Sequence, residues 1–212
     1  MASELAEQIE YYGAIANEYE DHAIDSDGGD ELYHAVVNFA AQGDVLELGC
    51  GFGAWTELLI ASATTLTAVD AAPEMLARAE QRLGGRGVEF IQADVFNWEP
   101  SQTYDAVFFG FLLSHIPLER FNEFWSLIDR CLRPDGRVLF VDDNHRSSSE
   151  ERFGADSEVV ERRLNDGTAF NIIKIRHQPA VLRERLALTG WDIDVTPAGR
   201  HFYWGHGSKP AK

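Results

Sequence analysis

The segment at residues 45–53, VLELGCGFG, runs a short apolar stretch into glycines at 49, 51 and 53. Glycine lets the backbone turn sharply and lets a ligand approach the main chain with no Cβ in the way. The next residues, AWTELLI, start a helix, so free N–H groups at that start point into the gap. Carboxylates stand close by in the pattern: Glu47 within the apolar stretch, Asp70 at the end of TLTAVD, and Asp94 just after VEFIQA. Asp70 suits the paired hydroxyls of a ribose, a charge-assisted arrangement, and Asp94 offers an acceptor to an adenine amino group. Together these residues describe a site for an adenosine ligand. GCGFGA also satisfies G-x-G-x-x-A, so a nicotinamide dinucleotide is a candidate. Against it, Glu47 sits two before the first glycine, where a dinucleotide fold usually wants an apolar residue.

The elements that position these residues are legible as an alternation. Short, nearly continuous apolar runs at 45–48, 65–69, 88–93, 104–110 and 137–142 read as strands covered on both faces. Between them lie helical patterns, such as Phe121, Phe124, Trp125, Ile128 and Leu132 on one face. Pro73 and Pro117 suit first-turn positions, and RPDG at 133–136 reads as a turn into the fifth strand. Repetition of strand and helix predicts a parallel α/β sheet with right-handed crossovers. Residues 2–20 read as a helix carrying Tyr11, Tyr12 and Tyr19. A polar insertion follows the fifth strand, and then two β-prone arms flank Asn165-Asp166-Gly167, a hairpin signal. A helix at 179–190 leads to two final strands around Pro197-Ala198-Gly199, expected to pair as an antiparallel hairpin on the sheet.

Composition narrows the function. The chain has 212 residues, enough for one domain with a sizeable core. Thirty-five Asp and Glu against 18 Lys and Arg give a formal net charge of −17, which repels phosphate backbones and anionic membranes. Two cysteines in unrelated contexts imply no disulfide framework. No apolar run approaches the ~20 residues of a membrane span, and the start of the chain lacks a signal sequence, so a cytoplasmic protein is expected.

As an ordered set, YYGAIANEYE, VLELGCGFG, AVDAAPEML, IQADVF, YDAVFFGFLLSHIP and LRPDGRVLFVD resemble the class I S-adenosylmethionine-dependent methyltransferases. The resemblance is strong over about residues 8–142, and the C-terminal helix and hairpin match in topology. It implies a Rossmann-like, doubly wound, mostly parallel seven-stranded sheet with an antiparallel C-terminal hairpin. The whole chain would form one methyltransferase domain, with an N-terminal lid helix at about 2–30 and a cap inserted at about 144–178.

The resemblance also implies roles for individual residues. S-adenosylmethionine is the expected cofactor, held by Tyr11, Tyr19, Glu47, Gly49, Gly51, Gly53, Asp70, Met75, Asp94, Val95 and Phe111. Here Asp70 takes the ribose, Asp94 the adenine amine, Met75 and Val95 the ring, and Glu47 orients the glycine loop. The acceptor is expected to be a small organic molecule methylated on O or N, with no nucleic-acid or membrane partner, in a monomer or homodimer. His115 after the fourth strand is the candidate general base, because an ordinary histidine pKa near 6.5 suits proton abstraction at neutral pH. His145 is the alternative. Asp142, Asp143 and Asn144 after the fifth strand resemble part of the magnesium site of catechol-type enzymes. The acid those enzymes need after the fourth strand is Gly110 here, so no metal is assigned. Two other readings stay open: a cofactor-binding protein without methyl transfer, including cyclase-like use of the fold, and a nicotinamide-dependent oxidoreductase.

Overall fold

The computed structural model describes residues 2–18, 27–144 and 157–209. Five apolar runs form β1 (Asp44–Leu48), β2 (Thr65–Asp70), β3 (Val88–Gln92), β4 (Tyr104–Gly110) and β5 (Leu132–Asp143). The helices between them are α3 (Thr56–Leu59), α4 (Pro73–Leu83) and α5 (Phe121–Cys131). α1 (Ala2–Ile15) and α2 (Gly29–Phe39) precede the sheet, and α6 (Pro179–Leu188) leads to β8 (Asp192–Ala198) and β9 (Phe202–Ser208). The strand order is β3-β2-β1-β4-β5-β9-β8, and β9 alone runs against the others. This is the doubly wound, mostly parallel seven-stranded sheet expected from the sequence, with its antiparallel C-terminal hairpin.

Strand alternation divides the core in two. Leu46, Leu48, Val107, Phe109, Val138 and Phe140 face α5 and α6, where Trp125 and Phe124 fill the layer. The rings of Phe109 and Phe140 stack at 5.3 Å between centroids. Val45, Ala106, Phe108, Leu139 and Val141 face the other way, onto Leu32, Val36 and Phe39 of α2 and Leu59 of α3. Leu32, Val36 and Phe39 recur at helical spacing, the sequence pattern that marks α2 beyond the helix expected at 2–20. RPDG does not separate two elements. Tyr104 pairs with Leu132 and Ala106 with Arg137, so residues 133–136 form a bulge within β5. Arg133 reaches back from that bulge to the carboxylates of Asp44 and Asp105, each at 2.5 Å.

β1 lies between β2 and β4, the point where strand order reverses, and open α/β sheets bind ligands there at their carboxyl edge. Above that edge sits a cap. β6 (Val159–Arg163) and β7 (Ala169–Ile173) form a separate two-stranded hairpin, and α1 lies along its edge. The outward N–H groups of Asn171 and Ile173 donate to Glu7 Oε1 (2.6 Å) and Gln8 Oε1 (3.1 Å). Side chains of α1 thus satisfy an edge that would otherwise offer unpaired donors. Among the described residues no helix is long and apolar enough to cross a membrane.

The β8–β9 pairing leaves no room beside Gly207: a Cβ there would lie 2.8 Å from Ile193 Cα and against the Asp192 carbonyl. Gly207→Ala should therefore cost about 1–3 kcal/mol in urea unfolding. An unchanged midpoint would contradict the packing of this hairpin.

Candidate active site

A cavity of about 890 Å³ lies over the carboxyl edge, roofed by α1 and the hairpin. Its floor at one end is the glycine loop. Gly49, Gly51 and Gly53 all have positive φ, between 54° and 86°, which L side chains rarely adopt. Gly49 and Gly51 line the cavity, while Gly53 turns away and lets α4 approach, with Ala79 and Leu83 packed against it. The N–H groups of Gly49 and Cys50 both donate to Val69 O, and that of Gly53 to Cys50 O, so the loop is shaped by its own backbone. The expectation that loop N–H groups as a set face a ligand is corrected accordingly.

Asp70 fastens this loop to the sheet. Its Oδ2 accepts from Gly51 N at 2.8 Å and its Oδ1 from Ala72 N at 2.9 Å, at the start of α4. Burial raises its pKa and these backbone donors counter that. The carboxylate remains on the cavity wall with further lone pairs. Glu47 lies beneath the loop, buried and away from the cavity, and accepts from Thr56 Oγ1 at 2.5 Å. Burial, helped by the nearby Asp70 charge, pushes its pKa up to about 8, so it holds a proton at neutral pH and ties β1 to α3.

The other expected contacts sort into two groups. Met75, Asp94, Val95 and Phe111 line the cavity, as does Phe96, which the sequence reading had not named. Asp94 also accepts from Phe96 N (3.0 Å) and Asn97 Nδ2 (2.7 Å), which fixes the turn after β3. Phe111 has φ 55°, unusual for a residue with a side chain, and its ring lies between Trp55 and Phe202. Tyr11 falls outside: it is buried against Tyr12, Phe170, Val160 and Ile172, on the hairpin side of α1. Its neighbour Tyr12 lines the cavity instead. Tyr19 and His145 lie outside the described residues.

His115 stands at the far end of the cavity, 4% exposed. Its Nδ1 lies 2.6 Å from Ile173 O, an acceptor, so Nδ1 carries the hydrogen. Its Nε2 is then the acceptor for the Tyr12 hydroxyl at 2.8 Å. Burial first, and the positive charges of Lys174 and Arg162 next, hold its pKa well below 6.5. The ordinary pKa expected for His115 therefore does not hold, because protonation would put a third positive charge in a buried place and displace the tyrosine hydrogen.

Beside it lies a polar cluster that the sequence reading missed in part. Lys174, 5% exposed, donates from Nζ to Ser114 Oγ and to Asp143 Oδ2, both at 2.9 Å, and lies 4.0 Å from Asp142 Oδ1. Asp142 is fully buried; it accepts from Ser114 N and Asp143 N, and burial raises its pKa to about 6. The cation beside these acids is thus an ammonium. Among the described residues no group of three or more His, Cys, Asp or Glu converges as metal ligands. Asp143, Lys174 and Arg162 line the cavity. A lysine in the otherwise apolar run IIKI, residues 172–175, is the signal available for it.

The family model for a methyltransferase domain matches residues 45–136. A malonyl-[acyl-carrier protein] O-methyltransferase of Paenibacillus sp. is 31% identical over 63% of this chain and 53% of its own length. A trans-aconitate 2-methyltransferase of Escherichia coli is 36% identical over 46% of this chain and 37% of its own. The chain spans about half or less of the length of these curated relatives. The solved DhpI–SAH complex is 34% identical over all of both chains, with a TM-score of 0.85. With the sheet order and the glycine loop, these likenesses carry one conclusion: the chain belongs to the class I S-adenosylmethionine-dependent methyltransferases.

Proposed function

We propose that the chain transfers the methyl group of S-adenosylmethionine to an O or N atom of a small organic acceptor. The observation that carries this reading is one continuous cavity with two chemically distinct ends. At one end Asp70, Asp94, Val95, Phe96 and Met75 suit the ribose and adenine. At the other Tyr12, His115, Arg162, Lys174 and Asp143 form a polar chamber for an acceptor. The net charge of −17 supports a small free acceptor in the cytoplasm over a nucleic acid or an anionic membrane. The reading takes the chain as a single domain, monomeric or homodimeric, with α1 and the hairpin as its cap.

The cradle fits this cofactor on its own geometry. The positive-φ turns at Gly49 and Gly51 leave the main chain bare beneath the cavity, and Asp70 presents acceptor lone pairs to a diol. When bound, the cofactor supplies a methyl group already activated on a sulfonium. What remains for the protein is alignment and exclusion of water. Asp70 and the loop fix one end, and Tyr12, Gln8, Ile9 and Leu5 of α1 close over the cavity. His115 acts in this reading as a positioning residue. Its fixed tautomer holds the Tyr12 hydroxyl, and its carbonyl accepts from Gln8 Nε2, so one residue latches the roof at two points.

Ligand at 100 times its dissociation constant stabilises a fold by about 2.7 kcal/mol. S-adenosylhomocysteine is expected to raise the melting temperature while NAD does not, and equal shifts from both would revive the oxidoreductase reading.

His115→Gln separates latch from base. A base should lose about 10²–10⁴ in turnover on this change. The latch reading expects less than about a tenfold loss, with no new limb in the pH–rate profile. A second readout is stability. The folded pKa of His115 lies below its unfolded value near 6.5, so its neutral contacts stabilise the fold above that pH and are lost as pH falls toward the folded pKa. Wild type should weaken on acidification below about pH 6.5, by up to about 1.4 kcal/mol per pH unit from this group, and His115→Gln should flatten that slope. A large turnover loss with an unchanged slope would restore the base.

A further inference from the structure

The acceptor end contains a charge arrangement that the cofactor does not explain. In a chain of net charge −17, a lysine from the cap is turned inward and buried at the cavity wall, with Arg162 lining the same cavity. Burying an ammonium costs free energy unless it is paired and hydrogen-bonded. Lys174 is paired with Asp143, and its hydrogen bond to Ser114 Oγ fixes its direction. Ser114 is itself held, since its N–H donates to Asp142 and its carbonyl accepts from Ile175 N at 2.6 Å. The ammonium is therefore preoriented, and one of its two close partners, Asp143, also lines the cavity.

The same end is poor in bases. His115 uses Nε2 to accept from Tyr12, and Asp143 is engaged by Lys174. An acceptor that must lose a proton to react finds His115 and Asp143 at this end already engaged. An acceptor that is already an anion needs neither.

We propose that the acceptor is a small organic acid, bound through its oxyanion to Lys174, and that Asp143 is the placeholder for that oxyanion in the resting protein. This rests on the methyltransferase reading above. On binding, the acid takes over part of Asp143's hold on the ammonium. A lone pair on the acceptor oxygen forms the new O–CH3 bond, the S–CH3 bond breaks, and its electron pair stays on sulfur. No proton moves: the acceptor loses one negative charge and the sulfonium its positive charge, which for a carboxylate leaves a neutral ester and a neutral thioether. Charge annihilation of this kind is favoured in a cavity closed to water. Sharing Lys174 with Asp143 limits how far the ammonium quenches the nucleophile. Once the ester forms, the product carries one negative charge fewer and competes less, Asp143 recovers the ammonium, and the ester leaves.

The test uses the full chain, S-adenosylmethionine labelled in the methyl group, and two acceptor panels. One panel holds small carboxylic acids with sulfur and phosphorus oxyacids, and the other small amines, alcohols and phenols. Label is expected only in the acid panel, and for a carboxylic acid it should be released by mild alkali, as esters are. The member that takes label identifies which oxyacid is the source of the charge. Lys174→Met should then raise KM for that acid roughly 10- to 100-fold, the loss expected for one charge-assisted hydrogen bond. Lys174→Arg should restore part of it, which guards against a folding defect in the methionine variant. Asp143→Asn, which removes the competing carboxylate, should lower KM or leave it unchanged. Label in amines or neutral alcohols, a damaging Asp143→Asn alongside a harmless Lys174→Met, or no label in any acid would overturn the proposal. The S-adenosylhomocysteine melting shift is read in every variant. If that shift is absent in wild type, the methyltransferase reading has failed, and if it is present without labelled acid, only the acceptor class has failed.

Discussion

Two hydrogen bonds made by one carboxylate hold the site together. Asp70 ends β2, and its oxygens accept separately from Gly51 in the loop after β1 and from Ala72 at the start of α4. The loop has few other ways to hold its shape, since three glycines in left-handed backbone cost conformational entropy to order. The Val69 carbonyl takes the first two loop N–H groups, and Asp70 takes the next outward one. With Glu47 protonated beneath and hydrogen-bonded to Thr56, the negative charge under the loop is concentrated in Asp70, on the cavity side. The same group that builds the cradle thus also faces the cavity.

The cap obeys a different constraint. A two-stranded hairpin alone is marginal in water. Here α1 supports it through Glu7 and Gln8 on the edge backbone and through the packing of Tyr11, Val160 and Ile172. The unit meets the body beside the cavity, where His115 Nδ1 donates to Ile173 O and Lys174 reaches Ser114 and Asp143. Contacts that fasten the cap are therefore also contacts that line the cavity. In the proposed reading, closure and acceptor recognition are therefore coupled by shared residues.

The sequence made the sheet and the cofactor end legible because both depend on local pattern. Apolar runs at 45–48 and 104–110 are strands because both faces are covered, and the glycine spacing, Asp70 and Asp94 follow from where those strands stop. The acceptor end was less legible because it depends on direction in space. Tyr11 and Tyr12 are adjacent on a helix and point about 100° apart, so a tyrosine pair does not say which member faces the ligand. His115 was visible as a residue, but its depressed pKa comes first from burial and next from Lys174 and Arg162, which are distant in sequence. RPDG has turn composition, yet the ion pairs of Arg133 with Asp44 and Asp105 keep it within β5 as a bulge.

The central claim, that Asp70 is both the loop's anchor and the ribose acceptor, is tested most directly by a chemical double-mutant cycle. Calorimetry would compare S-adenosylhomocysteine with its 2′,3′-dideoxyribose analogue, each against wild type and Asp70→Asn. If the carboxylate receives the diol, the two changes are coupled, by roughly 1.5–3 kcal/mol for a charge-assisted hydrogen bond. Removing the hydroxyls should then cost much less affinity in Asp70→Asn than in wild type. Losses that simply add would mean that Asp70 shapes the loop without touching the ribose, and the account of the site would be wrong at its centre.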